Sequence, residues 1–302
     1  MFVSDFTNST VSLKSKSIIL SNPMAWTEII EPKRRMFDLR LKEAWHYRDL
    51  LVMWVKRDFT ATYKQTILGP IWIFLQPLLM TAMFILVFGR FAQISTDGLP
   101  RILFYLSGIT IWNYFSESFT KTANVFKDNA NIFGKVYFPR IVMPLSIVSS
   151  NLVRFVIQFG LFLAMLLYFV WKGNTAVHPN IMIALTPLLL IIMAGFALGA
   201  GMLISSMTTK YRDLAFLLTF GVQLLMYATP VIYPVSALPE KYRVWVMANP
   251  IAPVVETFRY AFLGSGSFSW TALGYSTGMM LLMLSIGVVV FNRVEKNFMD
   301  TV

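Results

Sequence analysis

Apolar residues in this chain are collected into six long runs, which short polar segments separate. The runs cover residues 69–89, 102–120, 141–171, 181–206, 214–235 and 271–291. The first run holds 21 residues without a charge and, as a helix, would rise about 31 Å, enough to cross a hydrocarbon core of about 30 Å. The pattern therefore predicts an all-α integral membrane protein, with six transmembrane helices in a domain over residues 67–292.

The segment before the first run, residues 37–66, predicts an interfacial amphipathic helix and a connector. Seven apolar side chains fall within roughly half of the helical circle: Leu41, Ala44, Trp45, Leu51, Val52, Val55 and Phe59. The rings of Trp45, Tyr47 and Trp54 suit a helix in the headgroup layer, where amphipathic rings are favoured. A solvated surface helix is the alternative.

Between the fifth and sixth runs, two short amphipathic pieces cover residues 240–247 and 254–263, with Pro250 and Pro253 between them. Each piece is about half as long as a bilayer crossing requires. In the second piece, Glu256 and Arg259 can pair on the face opposite Val254, Phe258, Ala261 and Phe262. The two pieces therefore predict an outer re-entrant helical hairpin that dips into the outer leaflet or caps the bundle.

Composition and charge fix the class of protein and its topology. A chain that is 56% hydrophobic and 14% charged, with a mean hydropathy of +0.62, is too apolar for a soluble domain. Of the 26 Lys and Arg residues, 19 fall on one side of the predicted topology and six on the other. The positive-inside tendency therefore predicts that both termini are cytoplasmic, with residues 1–36 as a polar lead and 293–302 as a tail. The dispersed cations argue against nucleic acid as a partner.

Catalytic motifs are missing from the sequence. It has no GxxxxGK[ST] phosphate loop, no HExxH pair and no Cys, and His46 and His178 are isolated. We therefore expect no metal, no cofactor and no catalytic residue in this chain, and any uphill transport must draw its energy from another subunit. Glu117, inside the second run, is expected to face the protein interior or a wet cavity, or to have a structural role at the interface.

The fourth run carries small residues at four-residue spacing. Gly195 is followed by Gly199, and Ala197 by Gly201 and Ser205. Such spacing lets helix backbones approach closely in a membrane bundle, so it predicts tight packing of this helix on its neighbours.

Four segments occur in an informative order: RDFTATYKQTILGPIWIFLQPLL, LFYLSGITIWNYFSESF, NIFGKVYFPRIVMPLS and TPVIYPVSALPEKYRVWVMANPIAPVVETFRY. Together they resemble the membrane subunit of type-2 ATP-binding-cassette (ABC) exporters. Within that family they are most similar to the permeases that export O-antigen, capsule and teichoic acid. The resemblance covers roughly residues 45–295.

The resemblance implies a permease in the bacterial inner membrane that moves a lipid-linked polysaccharide out of the cytoplasm. Its expected partners are a second copy of the chain, two copies of a cytoplasmic ABC ATPase that binds ATP and Mg, and membrane lipid. The expected substrate is an undecaprenyl-diphosphate-linked glycan. No cofactor is expected in the permease itself.

The resemblance also assigns candidate site residues. Candidates for the substrate channel are Trp72, Phe74, Tyr105, Trp112, Tyr114, Phe115, Tyr227 and Tyr233. Candidates for the lipid diphosphate are Lys56, Arg57, Lys64, Lys135 and Arg140. Candidates for coupling to the ATPase are Phe126, Lys127, Asp128, Asn131, Phe133, Lys210, Tyr211, Arg212 and Asp213. Candidates for the outer gate are Tyr242, Trp245, Phe258 and Phe262.

Ordinary membrane roles compete with these assignments. Aromatic side chains also face lipid or pack between helices, and basic side chains also anchor headgroups. At the level of the whole protein, the same architecture can export a drug, an antibiotic or a lipid. A membrane-embedded glycan polymerase or glycosyltransferase is a third possibility, which would require catalytic carboxylates or a nucleotide-sugar site in a cytoplasmic domain.

Overall fold

The computed structural model describes residues 45–64, 66–133, 138–173, 175–208, 211 and 213–298, with side chains as far as Val294. Every regular element in these ranges is helical. The predicted polar lead, the first part of the predicted interfacial helix, and the candidates Lys135, Lys210 and Arg212 lie outside the described residues.

The helices follow one another along the chain with short connections. In order they are α1 (Arg48–Tyr63), α2 (Trp72–Phe84), α3 (Arg101–Ala123), α4 (Val125–Asp128), α5 (Ala130–Phe133), α6 (Val142–Trp171), α7 (Thr186–Thr208), α8 (Leu214–Tyr227), α9 (Glu240–Ala248), α10 (Ala252–Leu263) and α11 (Trp270–Phe298). A 3₁₀ turn (Gly69–Ile71) precedes α2 and a π-helical segment (Ile85–Phe91) continues it. Further 3₁₀ turns lie at Ile181–Leu185 and Val235–Ala237.

Four helical segments are long and apolar enough to cross a membrane. They are Gly69–Phe91, Val142–Trp171, Ile181–Thr208 and Trp270–Val294, which correspond to the first, third, fourth and sixth predicted spans. The protein is therefore a multi-pass membrane protein. The count of six spans stays a prediction, because α3 and α8, at the second and fifth runs, are less apolar or shorter than these four.

The fifth predicted span ends earlier than its apolar pattern indicates. α8 holds 14 residues, a rise of about 21 Å, and it ends at Tyr227 instead of residue 235. Pro230 has no N–H with which to continue the helical ladder, and the carbonyl oxygens of Pro230 and Val231 accept hydrogen bonds from Arg259. The bound at residue 235 was therefore wrong, and residues 228–234 form a turn.

α3 is the central helix of the bundle. It packs against α2, α6, α7, α8 and α10, and each residue from Leu103 to Trp112 is buried. Two of its buried hydroxyls are satisfied within the helix: that of Ser107 donates to Phe104 O, and that of Thr110 to Leu106 O. Since neighbouring helices shield α3, it tolerates polar residues that a lipid-facing helix would not.

α7 crosses its neighbours at glycines, which confirms the predicted tight packing. A Cβ at Gly199 would lie 2.6 Å from the backbone of Leu284 in α11, and a Cβ at Gly287 would meet the backbone of Gly199. On the side of α3, a Cβ at Gly201 would lie 2.6 Å from Thr122. The crossing of α7 and α11 thus brings the two backbones closer than a side chain at either glycine allows, and the crossing of α7 and α3 leaves no room for a side chain at Gly201.

α1 lies against α6 through a face that the sequence pattern did not single out. Trp54 is the buried residue of α1, and its ring packs on Phe138 with the ring centroids 4.9 Å apart. Trp45 and Val52 are exposed. The ring of Trp54 therefore packs on the protein next to the start of α6, while the placement of this helix in the headgroup layer stays a prediction.

Candidate functional site

At one end of the bundle, α1, α4 and α5 lie near the last turns of α3 and the first half of α6, and we call this the basic end. The guanidinium of Arg154 donates to the carboxylate of Glu117 (2.7 Å) and to the hydroxyl of Thr62 (2.9 Å), and it lies 5.5 Å from the ring centroid of Tyr63. Arg154 thus joins α6 to both α3 and α1. The ion pair accounts for the acidic group that the sequence places inside an apolar run.

A cavity of about 330 Å³ opens at the basic end, beside α1. Its charged lining residues are Arg57, Asp58, Lys121 and Asp128, and Arg57 donates to Asp58 at 3.1 Å. Thr62 and Ser146 also line it, but their hydroxyls already donate to Asp58 O and Met143 O. The cavity therefore offers two cationic groups, next to two carboxylates, to an anionic group that enters it.

The structure separates the candidates for the lipid diphosphate. Arg57 lines the cavity, whereas Lys56 and Lys64 are exposed elsewhere on α1 and its connector. Arg140 is 6% exposed, and its guanidinium lies 5.4 Å from the ring centroid of Phe133. Lys121 lines the cavity but was missed, although its position one turn after Glu117 is a signal that the sequence contains.

The coupling candidates fall into two groups. Phe126 and Phe133 are buried, and Phe126 stacks on Phe291 of α11 with ring centroids 4.7 Å apart. These two rings hold α4 and α5 against the bundle. The other described candidates have exposed side chains: Lys127, Asp128, Asn131, Tyr211 and Asp213.

The channel candidates divide in the same way. Four of them are buried in the core of the subunit and are not accessible in this conformation: Tyr105, Trp112, Tyr114 and Phe115. Trp72 and Phe74 on α2 and Tyr227 at the end of α8 are exposed. The hydroxyl of the half-buried Tyr233 donates to Tyr227 O at 3.0 Å.

Two polar residues that sequence reasoning missed lie on these same apolar helices. Gln76 on α2 and Gln223 on α8 are exposed within otherwise apolar surroundings. An amide without a hydrogen-bond partner costs several kcal/mol in hydrocarbon, on the order of 4 or more. Their exposure favours contact with water or with another polar surface over contact with lipid.

At the opposite end, which we call the hairpin end, a buried ion pair confirms that Glu256 and Arg259 are partners. The guanidinium of Arg259 donates to Glu256 at 2.9 Å and to the carbonyl oxygens of Pro230 and Val231 at 3.0 and 3.3 Å. It also lies 3.9 Å from the ring centroid of Phe104.

The carboxylate of Glu256 faces two opposing influences. Burial raises its pKa, while Arg259 and the backbone N–H of Ser267 act in the opposite direction by stabilising the charged form. Both side chains are at most 2% exposed. The face opposite the apolar one is therefore buried as well, because α10 is enclosed by α3, α7 and α11.

The two pieces of the predicted hairpin are unequal. Eleven of the twelve residues of α10 are buried, including Phe258 and Phe262, which pack on the rings of Phe159 and Phe162. In α9, which is described throughout, none is buried, and Tyr242 and Trp245 are exposed. α10 is therefore part of the bundle core, while α9 lies on its outside.

Several apolar helices, an amphipathic helix at one end and a pair of short helices at the other define a multi-pass membrane protein without a soluble domain among the described residues. Residues 49–263 match the family described as "ABC-2 type transporter". The chain therefore belongs to the ABC-2 type transporter family.

Curated relatives cover most of the chain. It is 27% identical over 253 residues to the O-antigen export system permease protein RfbA of Klebsiella pneumoniae, with 83% of this chain and 94% of the relative covered. The protein of the same name from Myxococcus xanthus is 29% identical, with 74% and 83% covered. The capsule polysaccharide export inner-membrane protein CtrC of Neisseria meningitidis is 24% identical, with 80% and 89% covered.

Proposed function

We propose that this chain is the permease subunit of an ABC exporter that moves a lipid-linked polysaccharide from the cytoplasm across the inner membrane. The similarity to O-antigen and capsule export permeases, over about four fifths of the chain, is the observation that carries this proposal. The expected resemblance to type-2 ABC polysaccharide exporters is confirmed at the level of the family.

The proposed assembly contains two copies of the chain and two copies of a separate ATPase, which supplies the nucleotide site. Support for a second copy comes from α8, where Phe216, Leu217 and Phe220 are more than half exposed and Gln223 lies among them. Support for a cytoplasmic partner comes from the basic end, where exposed Lys127 and Asn131 stand on short helices that buried rings hold in place.

The proposed substrate path runs between the α2 and α8 helices of the two copies. Trp72, Phe74 and Tyr227 offer ring faces on which sugars stack, and Gln76 and Gln223 offer amides to hydroxyl groups. The four aromatic candidates in the core are assigned to packing. The path therefore combines stacking surfaces with a few polar groups, which suits a polymer of sugars without requiring one particular sequence of them.

The lipid diphosphate is proposed to enter the cavity at the basic end. Arg57 and Lys121 both line this cavity, and charge-assisted contacts to phosphate are about twice as strong as neutral hydrogen bonds. Undecaprenol is the lipid that we propose. Its chain would remain in the bilayer, while the diphosphate brings the glycan to the start of the path.

ATP hydrolysis by the purified complex in lipid nanodiscs tests this function. We expect a lipid-diphosphate-linked glycan to stimulate hydrolysis, and the lipid diphosphate without glycan to stimulate it less. A complex that ignores glycans and responds to small amphiphiles would identify a drug or lipid exporter instead. A complex that responds to neither would remove the proposed function.

A further inference from the structure

Arg259 is fully buried, and its contacts reach beyond its own helix. Glu256 alone would neutralise the charge, but the second amino group of the guanidinium is directed to the carbonyl oxygens of Pro230 and Val231. These two carbonyls belong to the turn 228–234, where α8 has ended. Because the planar guanidinium donates in two directions at once, one side chain fixes the turn to α10.

α3 leaves room for this contact at one position. A Cβ at Gly108 would lie 2.8 Å from Val231 O and 3.3 Å from the Nη2 atom of Arg259. The ring of Phe104, one turn earlier, lies under the guanidinium at 3.9 Å. The turn therefore packs against both α3 and α10.

The turn carries the tyrosines at the outer end of the proposed path. Tyr227 precedes it, and Tyr233 closes it by donating from its hydroxyl to Tyr227 O. Thr229, inside the turn, donates to Leu225 O and accepts from the side chain of Asn249. A shift of residues 230 and 231 would thus move both tyrosines.

We propose that Arg259 is a positioning residue, which fixes the turn 228–234 and thereby sets the place of Tyr227 and Tyr233 in the substrate path. Its effect on the turn follows from the contacts above, while its effect on glycan transport rests on the proposed function. Arg259 does not touch the substrate itself, since it is 1% exposed.

Two variants on different helices test this proposal. Arg259→Lys keeps the positive charge for Glu256 but removes the second amino group of the guanidinium, which donates to the turn. Gly108→Ala keeps the arginine at position 259 and adds a methyl group 2.8 Å from Val231 O and 3.3 Å from Nη2 of Arg259. The control for Arg259→Lys is Arg243→Gln, because Arg243 also donates to two carbonyl oxygens, those of Ser236 and Leu238, but outside the core. The control for Gly108→Ala is Gly160→Ala, because Gly160 has no described neighbour within 4 Å outside its own helix.

The readout is a spin label on Ala228→Cys, an exposed position that provides the sole thiol because the chain has no Cys. We expect the same label mobility in the parent and in both controls, and a larger mobile component in Arg259→Lys and in Gly108→Ala. Because the two variants act on one turn, the double variant should be no more mobile than the stronger single one. A label mobility in both variants equal to that of the parent would overturn the proposal.

Glycan-stimulated ATP hydrolysis of the same complexes supplies the second readout. We expect stimulation to fall about tenfold in both variants, in line with the loss of a charge-assisted hydrogen bond, and to persist in both controls. A mobile turn with full stimulation would overturn the link to the substrate path. A parent complex without any glycan stimulation would count against the proposed function, while the spin label would still decide whether Arg259 positions the turn.

Discussion

One ion pair joins two of the apolar helices of this chain. Glu117 and Arg154 each lie in an apolar run, and 37 positions separate them in sequence. Their 2.7 Å contact gives each a partner, and Arg154 also reaches Thr62 of α1. A charge at this depth is stable only because a second one, from another helix, meets it.

Removal of Arg154 tests this pairing. We expect Arg154→Ala to lower the free energy of unfolding by about 1–3 kcal/mol, because it leaves a partly buried carboxylate without its partner. Thermal unfolding of the purified protein in detergent measures the change. The matched control is Arg48→Ala, whose exposed contact with Asp49 at 3.9 Å should contribute almost nothing. Equal effects of the two substitutions would contradict the role of the pair.

Arg57 and Lys121 provide a second prediction at the residue scale. Arg57→Gln and Lys121→Gln should each raise the glycan-lipid concentration for half-maximal ATPase stimulation by about tenfold, because each removes a charge-assisted contact to the diphosphate. Lys56→Gln is the control on the same helix, since Lys56 does not line the cavity. If all three variants bind alike, the cations act as general headgroup anchors and the cavity is not the diphosphate site.

Sequence reasoning at this scale finds residue types but not their partners. The sequence identifies Glu117 as an unusual residue, and the three-residue spacing within one helix allows the Glu256–Arg259 pair to be predicted. The pairing of Glu117 with Arg154 depends on how α3 packs on α6, which is a contact between distant parts of the chain. For the same reason, the aromatic pattern does not separate Tyr105, which is in the core, from Tyr227, which is exposed.

At the scale of the helix, close crossings of backbones hold the bundle together. α7 and α11 meet at Gly199 and Gly287, where neither helix has room for a side chain. Without a strong hydrophobic drive between helices in lipid, such van der Waals contact becomes a main source of association.

Gly287→Ala tests the crossing of α7 and α11. Its Cβ would meet the backbone of Gly199, so the helices must separate, and we expect a loss of about 1–3 kcal/mol. Gly278→Ala, on the same helix, has no described neighbour within 4 Å outside α11 and should be neutral or slightly stabilising. Thermal unfolding and the fraction of monodisperse protein measure both. Two equally stable variants would show that the crossing is looser than described.

Hydropathy alone does not predict where a helix ends or how deeply it is buried. The runs at α2, α6, α7 and α11 are found because lipid-facing helices must be apolar throughout. The end of α8 at Tyr227 is missed because most of residues 228–235 are also apolar, and the carbonyl contacts of Arg259 with Pro230 and Val231 come from a distant helix. Hydropathy also does not predict the unequal burial of α9 and α10, since both helices are short and amphipathic.

At the scale of the whole molecule, we propose that the second copy packs against the exposed helix α8. Gly221 lies on its exposed surface with no described neighbour within 4 Å outside the helix. In this Cys-free chain, Gly221→Cys should yield a cross-linked dimer with a short thiol-reactive linker in the membrane. Val156→Cys, at a position of α6 that is 59% exposed, should not. Cross-linking only through residue 156 would place the interface elsewhere.

We propose that this chain forms the path by which a lipid-linked polysaccharide crosses the membrane. The most direct test is transport by proteoliposomes that contain this chain and its ATPase, with a labelled lipid-diphosphate-linked glycan in the outer leaflet. We predict that ATP makes the label resistant to externally added glycosidase, and that a hydrolysis-deficient ATPase abolishes this protection. A glycan that stays accessible to glycosidase, while the complex still hydrolyses ATP, would contradict the account.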